Sequence, residues 1–304
     1  MKRLIVPSLI MAGMVLMAGF SIPSYAQSAA TDDKPTFYHL VPGTYVNGWP
    51  RFTMTYPKDW VEQPPLPQEV FRAGAAAGYG HNPALSVTPA PSPVPLDKVA
   101  ELWVPFFKAI AEDVTLVSDK PSQLKDGTPA REVEIQMLYN GVPNYLVSLG
   151  TMKSGVLVAA TVGSDKGRIG EDLKAILYSL QYEPGKDEPV KVPPDIREFL
   201  DKYSSDIVSH DLANVMTHYS DSYLRSGEKK GEVERSFKHF IGSLTSYVMS
   251  ITDFEAEGDK VYLTGFTSIN GVRWPMSGTS IIKENGEWKW YGNQREVVSA
   301  PPGK

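Results

Sequence analysis

Glu183-Pro184-Gly185-Lys186-Asp187-Glu188-Pro189-Val190-Lys191-Val192-Pro193-Pro194 decides how this chain is organised, because it holds four prolines, a glycine and five charged residues without any apolar periodicity. Proline fixes φ and removes a backbone donor, and charges without an apolar face have nothing to bury. The segment therefore reads as a linker over 183–194. It separates 36–182 from 195–298, two blocks each long enough to fold alone, and no internal repeat relates them.

Upstream of the linker, Phe52, Met54 and Tyr56 alternate with polar residues before Pro57 and Trp60, as in a strand that ends in a turn. Val99, Leu102, Trp103, Phe106, Phe107 and Ile110 recur at helical spacing and predict an amphipathic helix over Leu96 to Asp113 that must cover a sheet. That sheet is expected from Val114 to Val117, the alternating Val133, Ile135 and Met137, the Asn140-Gly141 turn, Tyr145 to Leu149 and Val156 to Val162. A second helix is predicted over Gly167 to Leu180. The block is an antiparallel sheet flanked by helices.

Downstream, Ile196, Phe199, Leu200, Tyr203 and Ile207 form one helix stripe. Asp211 is a good N-cap for a second helix carrying Leu212, Val215, Met216 and Tyr219, and Val233, Phe237, Phe240 and Ile241 suggest a third. Strands follow over Ser246 to Phe254, Val261 to Ser268, Val272 to Ile282 and Glu287 to Gln294, joined at Glu257-Gly258-Asp259, Asn270-Gly271 and Asn285-Gly286. Helices first and long strands afterwards make this an α+β domain, and the chain a two-domain α+β protein.

The first 26 residues place the protein. Lys2 and Arg3 form a basic start, Leu4 to Phe20 carries no charge, and Ser24-Tyr25-Ala26 fits the cleavage pattern of a secretory signal peptide, with a cut expected after Ala26. A span usually needs about 18 to 20 apolar residues, and Pro7, Ser8, Ser21 and Pro23 leave this run short. Residues 27–35 read as a disordered leader. With no cysteine in the chain, lipid attachment at a lipobox, thiolate chemistry and disulfides are all excluded. The expected location is periplasmic or secreted, with no membrane anchor after cleavage. The net charge of -5, with acidic and basic residues interspersed, gives no basic footprint for nucleic acid.

Two family resemblances rest on these residues. Tyr56-Pro57-Lys58-Asp59-Trp60, a long central helix, hairpins, and an ending Tyr178-Ser179-Leu180-Gln181-Tyr182 resemble the PsbP/Mog1-like family, which implies a binding or accessory module that attaches to larger assemblies. Ser209 to Tyr223, followed by Glu284-Asn285-Gly286-Glu287-Trp288-Lys289-Trp290-Tyr291, is similar to the NTF2-like superfamily in its SnoaL-like or ketosteroid-isomerase-like branch. That resemblance implies a cone with helices on one side of a pocket and a curved sheet on the other.

Few residues point to chemistry. His39, His81, His210, His218 and His239 do not form a zinc motif at helical spacing, and no metal or cofactor is expected. The Gly74 to Pro83 stretch lacks the Lys-Ser or Lys-Thr of a phosphate loop and reads as a strand and turn. Under the ketosteroid-isomerase resemblance Tyr203, eight residues before Asp211, stands where an oxyanion tyrosine is implied, but the implied base position holds Gly227. A shifted acid or base could be Asp201, His218, Asp221 or His239. More prominent is the aromatic weight that the resemblance assigns to the cone. Tyr203, Met216, Tyr219, Phe237, Phe240, Trp274 and Trp290 are the candidate ligand-binding residues, with Tyr223 beside them. The expected function is an exported accessory protein without its own catalysis, binding a small apolar ligand or a protein partner segment in the cone. A homodimer through the NTF2-like sheet is a further expected partner. The alternative is a periplasmic SnoaL-like lyase, isomerase or hydrolase acting on an apolar substrate.

Overall fold

Strand alternation builds the N-terminal block, and the computed structural model describes the chain over residues 43–63, 65, 69–75, 83–225 and 228–293. The signal peptide, the leader, His39, His81, Gly227 and residues 76–82 of the glycine-rich stretch lie outside the described residues. Strands β1 (Thr44–Asn47), β2 (Phe52–Thr55), β3 (Val61–Glu62), β4 (Phe71–Gly74) and β5 (Ala84–Pro91) precede helix α1 (Ala100–Ile110). Then come β6 (Glu112–Gln123), β7 (Pro129–Tyr139), β8 (Val142–Lys153), β9 (Val156–Ser164), helix α2 (Glu171–Leu177) and β10 (Gln181–Tyr182). They form a sheet in the order β3-β4-β5-β9-β8-β7-β6 and a small one, β1-β2-β10. All neighbours are antiparallel.

Because successive side chains point to opposite faces, the large sheet has two apolar layers. Phe52, Met54, Val147, Leu149, Val158 and Leu177 join the small sheet and α2 on one face. Val99, Ala100, Val133, Ile135 and Leu157 pack under α1 on the other. Helix α1 is shorter than its periodicity predicts. It ends at Ile110, and Asp113 stands at φ 48° at the start of β6. Residues 112–123 pair with β7 instead, so long-range pairing overrides the helical pattern. Helix α2 is likewise confined to residues 171–177 of the predicted 167–180.

The C-terminal block contains α3 (Pro194–Val208), α4 (Leu212–Thr217), β11 (Tyr219–Arg225), β12 (Glu228–Lys229), α5 (Lys230–Phe240), β13 (Tyr247–Glu257), β14 (Lys260–Ile269), β15 (Val272–Glu284) and β16 (Glu287–Gly292). The sheet order is β12-β11-β16-β15-β14-β13, with β11 parallel to β16. Asp211 caps α4 by accepting from the Asn214 N–H at 3.0 Å. Tyr219, predicted in that helix, instead opens β11 opposite Trp290. The Asn-Gly pairs at 140–141, 270–271 and 285–286 all have positive φ at both residues, as two-residue hairpins require. Gly265 lies at a bulge, and a Cβ there would sit 2.0 Å from the Ser250 carbonyl oxygen. Such bulges bend a strand, and α3 packs on the same sheet against β13.

The segment 183–194 is tied down at both ends. Glu183 N–H donates to Arg51 O at 3.1 Å, Asp187 accepts from Arg51 N–H and Ser154 Oγ at 2.7 Å each, and Val190 N–H donates to Ile251 O at 2.7 Å. Helix α3 already begins at Pro194. The blocks also touch directly. Trp49 and Val156 bury Phe266, with the Trp49 and Phe266 ring centroids 4.6 Å apart, and Arg273 lies over the Phe266 ring at 4.8 Å. Phe266 pairs with Pro275, on the sheet face opposite the α3 core.

Candidate functional site

The concave face of the C-terminal sheet and the inner faces of α3, α4 and α5 enclose an aromatic interior. Helix α3 supplies Phe199 and Tyr203, four residues apart and so on one face of a helix with 3.6 residues per turn. Strand β11 supplies Tyr219 and Tyr223, β13 Tyr247, and β16 Trp290. The rings interlock edge to face. Tyr203 has ring centroids at 5.3 Å from Trp290, 5.6 Å from His218, 5.9 Å from Tyr247 and 6.0 Å from Tyr219. Trp290 is 5.1 Å from Phe199.

The polar atoms of this interior are mostly neutral hydroxyls. The Tyr203 and Tyr219 hydroxyls lie 2.7 Å apart in one hydrogen bond. Burial first, then neighbouring tyrosines, hold both far above the ordinary tyrosine value. Burial also raises Tyr223 and Tyr247. These phenols therefore stay protonated in the physiological range and act as hydrogen-bonding groups rather than bases.

One pair of titratable side chains does meet at the wall. His218 Nε2 is 2.7 Å from Asp206 Oδ2, and its buried ring packs edge-on against Phe199 and Tyr203. The other acid–base candidates lie outside. Asp201 is exposed beside Arg197, Asp221 is exposed beside Lys230, and His239 is exposed on α5. His210 turns its Nε2 to Leu244 O at 2.9 Å. Glu228 on β12 is raised above the usual carboxylate range, first by burial.

Of the sequence-predicted ligand residues, Tyr203, Met216, Tyr219, Phe237 and Trp290 share one core, with Phe240 packed against it. Trp274 stands apart and is 37% exposed. It pairs with Thr267 and lies two residues from the core residue Met276, on the face of the sheet that packs against α3. Among the described residues no cluster of three or more metal-ligating side chains occurs.

A second polar cluster lies in the N-terminal block between α2 and the sheet. Glu132, whose side chain is 3% exposed, receives Lys120 Nζ at 3.1 Å, Lys174 Nζ at 3.3 Å and the Tyr178 hydroxyl. Ser122 Oγ completes it 2.8 Å from that hydroxyl. Burial opposes ionisation of Glu132, but the Tyr178, Lys120 and Lys174 contacts outweigh it and hold the carboxyl below its ordinary value. Tyr178 is pushed up to about 12, by burial and then by the carboxylate.

No family model and no curated protein matches the chain. Solved structures resemble parts of it at low identity. The cyanobacterial PsbP of Synechocystis is 12% identical at a TM-score of 0.36, over 50% of this chain and all of its own. A protein of Bacteroides thetaiotaomicron is 10% identical at 0.32, over 82% of this chain and 89% of its own. LpqN of Mycobacterium tuberculosis, described as involved in cell envelope biogenesis, is 10% identical at 0.29, over 48% of this chain and 83% of its own. Among the described residues no helix is long and apolar enough to cross a membrane.

Sequence reasoning did not single out Asp206 or Tyr247. Asp206 is twelve residues before His218 and joins it only because α4 packs back on α3. Tyr247 carried a usable signal, its alternation with Met249 and Ile251 on β13.

Proposed function

We propose that this chain is an exported binding or accessory protein whose PsbP/Mog1-like and NTF2-like domains are joined by 183–194. The aromatic interior of the C-terminal domain takes a small apolar ligand or an apolar segment of a partner. The observation that carries this reading is the interior itself, in which Tyr203, Tyr219, Tyr223 and Tyr247 present neutral hydroxyls among aromatic walls, while Trp274 lies exposed on the sheet face that packs against α3. Apolar surroundings with a few placed polar groups are the usual make-up of small-molecule sites. N-phenylnaphthylamine titrated into the mature protein should bind saturably and quench tryptophan fluorescence. Tyr203→Phe should leave its affinity within about twofold, since only a hydroxyl is lost. Absence of saturable binding would refute the reading.

The His218–Asp206 pair supports a second reading, a SnoaL-like enzyme in which His218 moves a proton to or from an apolar substrate. Under it His218→Asn abolishes turnover while probe binding persists. Under the binding reading His218→Asn changes only stability.

A further inference from the structure

We infer that Asn140 and Asn285, at the tips of two hairpins, are sites of covalent modification, the spontaneous conversion of asparagine to aspartate and isoaspartate through a cyclic imide, and that Asn47 and Asn270 are protected from it. The chain holds four Asn-Gly pairs, at 47–48, 140–141, 270–271 and 285–286. In each, the glycine has no side chain to keep its backbone nitrogen from the preceding amide. Solvent base takes the proton from the glycine N–H, the nitrogen attacks Cγ of the asparagine, and the side-chain amide leaves as ammonia with a proton returned to it. Water then opens the imide ring at either carbonyl. Both products, aspartate and isoaspartate, carry one new carboxylate, and no oxidant or cofactor takes part.

The four differ in what holds the side-chain amide. Three of them share one backbone. Asn140, Asn270 and Asn285 stand at φ 51°, 50° and 52°, and the glycines after them at 75°, 81° and 85°. Asn270 is held from inside the turn. Its Oδ1 accepts from Thr245 N–H at 2.8 Å, Thr245 Oγ1 at 3.0 Å and Ser246 N–H at 3.1 Å, and its Nδ2 donates to Ser243 O at 3.0 Å. Asn47 is buried, accepts from the Tyr45 hydroxyl at 2.8 Å and donates to Pro50 O at 2.7 Å. Asn140 and Asn285 are exposed, and among the described residues no group hydrogen-bonds to either amide. Attack requires the tip to open and the amide to swing over the glycine nitrogen, and exposed tips lie at the low end of local opening costs. For Asn140 and Asn285 that opening is the whole requirement. Asn270 must also give up four hydrogen bonds, and Asn47 two.

The product bears most on the 285 turn. Glu284 pairs with Glu287 across it, so a carboxylate at 285 adds a third like charge, and isoaspartate adds a backbone carbon to a turn whose length sets the strand register. Trp288, which donates to Asp195 Oδ2 at 2.9 Å, pairs with Lys283 one step further in and is the first tie to α3 that a shifted register disturbs.

The test incubates the protein in mildly alkaline buffer, folded and in guanidinium chloride, and follows each Asn-Gly site by peptide mass mapping, with aspartate and isoaspartate forms separated by chromatography. In denaturant all four sites should convert at comparable rates, because each presents the same Asn-Gly step. In the folded protein Asn140 and Asn285 should convert about tenfold or more faster than Asn47 and Asn270, the factor that one or two neutral hydrogen bonds carry. Conversion of Asn47 or Asn270 in the folded protein as fast as that of Asn140 and Asn285 would overturn the inference. So would Asn140 and Asn285 that stay intact in the folded protein while the denatured sample converts, since the turn backbone rather than the freedom of the amide would then govern the reaction.

Discussion

The two blocks bury polarity differently, although each leaves an indole N–H unpaired, Trp49 in the first and Trp290 in the second. Beneath α2, Glu132 is a charged centre with every nearby donor turned toward it, from Lys120, Lys174 and Tyr178. Around α3, the tyrosines are neutral, and Trp290 Nε1 and Thr279 Oγ1 have no partner. A satisfied charged cluster fastens elements together, because removing any member strands the others. An aromatic interior is instead held by the contacts of its rings, as between Trp290, Phe199 and Tyr203. The first is a staple of ion pairs and hydrogen bonds, and the second is held by ring packing.

The sharpest way to break this contrast is truncation. Trp290→Ala should destabilise the C-terminal domain by about 4 kcal/mol through the cavity it leaves, read as a shift of its urea transition followed by circular dichroism. A loss below about 1 kcal/mol would mean that the interior is not packed around this ring. Glu132→Ala should cost the N-terminal block about 2 kcal/mol, because the Tyr178 hydroxyl and the part-buried Lys174 lose their shared acceptor. The C-terminal transition should not move, and a common shift of both would show that the domains unfold together.

Acid titration sharpens the comparison further. The Glu132 carboxyl is depressed in the folded chain, so its stabilising contribution is complete above the unfolded value of about 4.3 and is lost as pH falls through the lower folded value. Glu132→Gln should flatten that acid limb of N-terminal unfolding. The tyrosines behave oppositely. Tyr178 is raised to about 12, so its contribution is complete below the unfolded value of about 10 and is lost as pH rises toward 12. An acid limb unchanged in Glu132→Gln would remove the carboxylate from the staple.

A smaller effect is expected between the domains. Asp187→Ala removes the acceptor for Arg51 N–H and Ser154 Oγ, so trypsin should cut at Lys186 or Lys191 several-fold faster than in wild type. An unchanged rate would show that these contacts do not restrain the segment. The smallest change is Tyr203→Phe, which removes one neutral hydrogen bond and should cost about 1 kcal/mol of C-terminal stability.

Much of this architecture was legible in the sequence because its signals are local. Asn-Gly pairs tolerate the positive φ of a tight hairpin, Asp211 offers its carboxylate to the next turn, and the stripe from Ile196 to Ile207 repeats at helical spacing. Each needs only a few consecutive residues, so composition and period suffice to read it. Where helices stop was not legible. The helix predicted to reach Asp113 ends at Ile110, where pairing of Glu112 with Leu138 begins, and Tyr219 continues an apolar period yet opens a strand opposite Trp290.

The site lies further along that scale. Sequence alone determined that Tyr203, Tyr219 and Trp290 belong to elements with buried faces, since alternation and helical period assign a face to each residue. Only the tertiary structure decided that Asp206 reaches His218, that Trp49 covers Phe266 and that the Trp290 indole is left without an acceptor. Hydrogen bonds form or fail over about 3 Å, and whether two groups come that close depends on how separately formed elements pack, which no local pattern encodes.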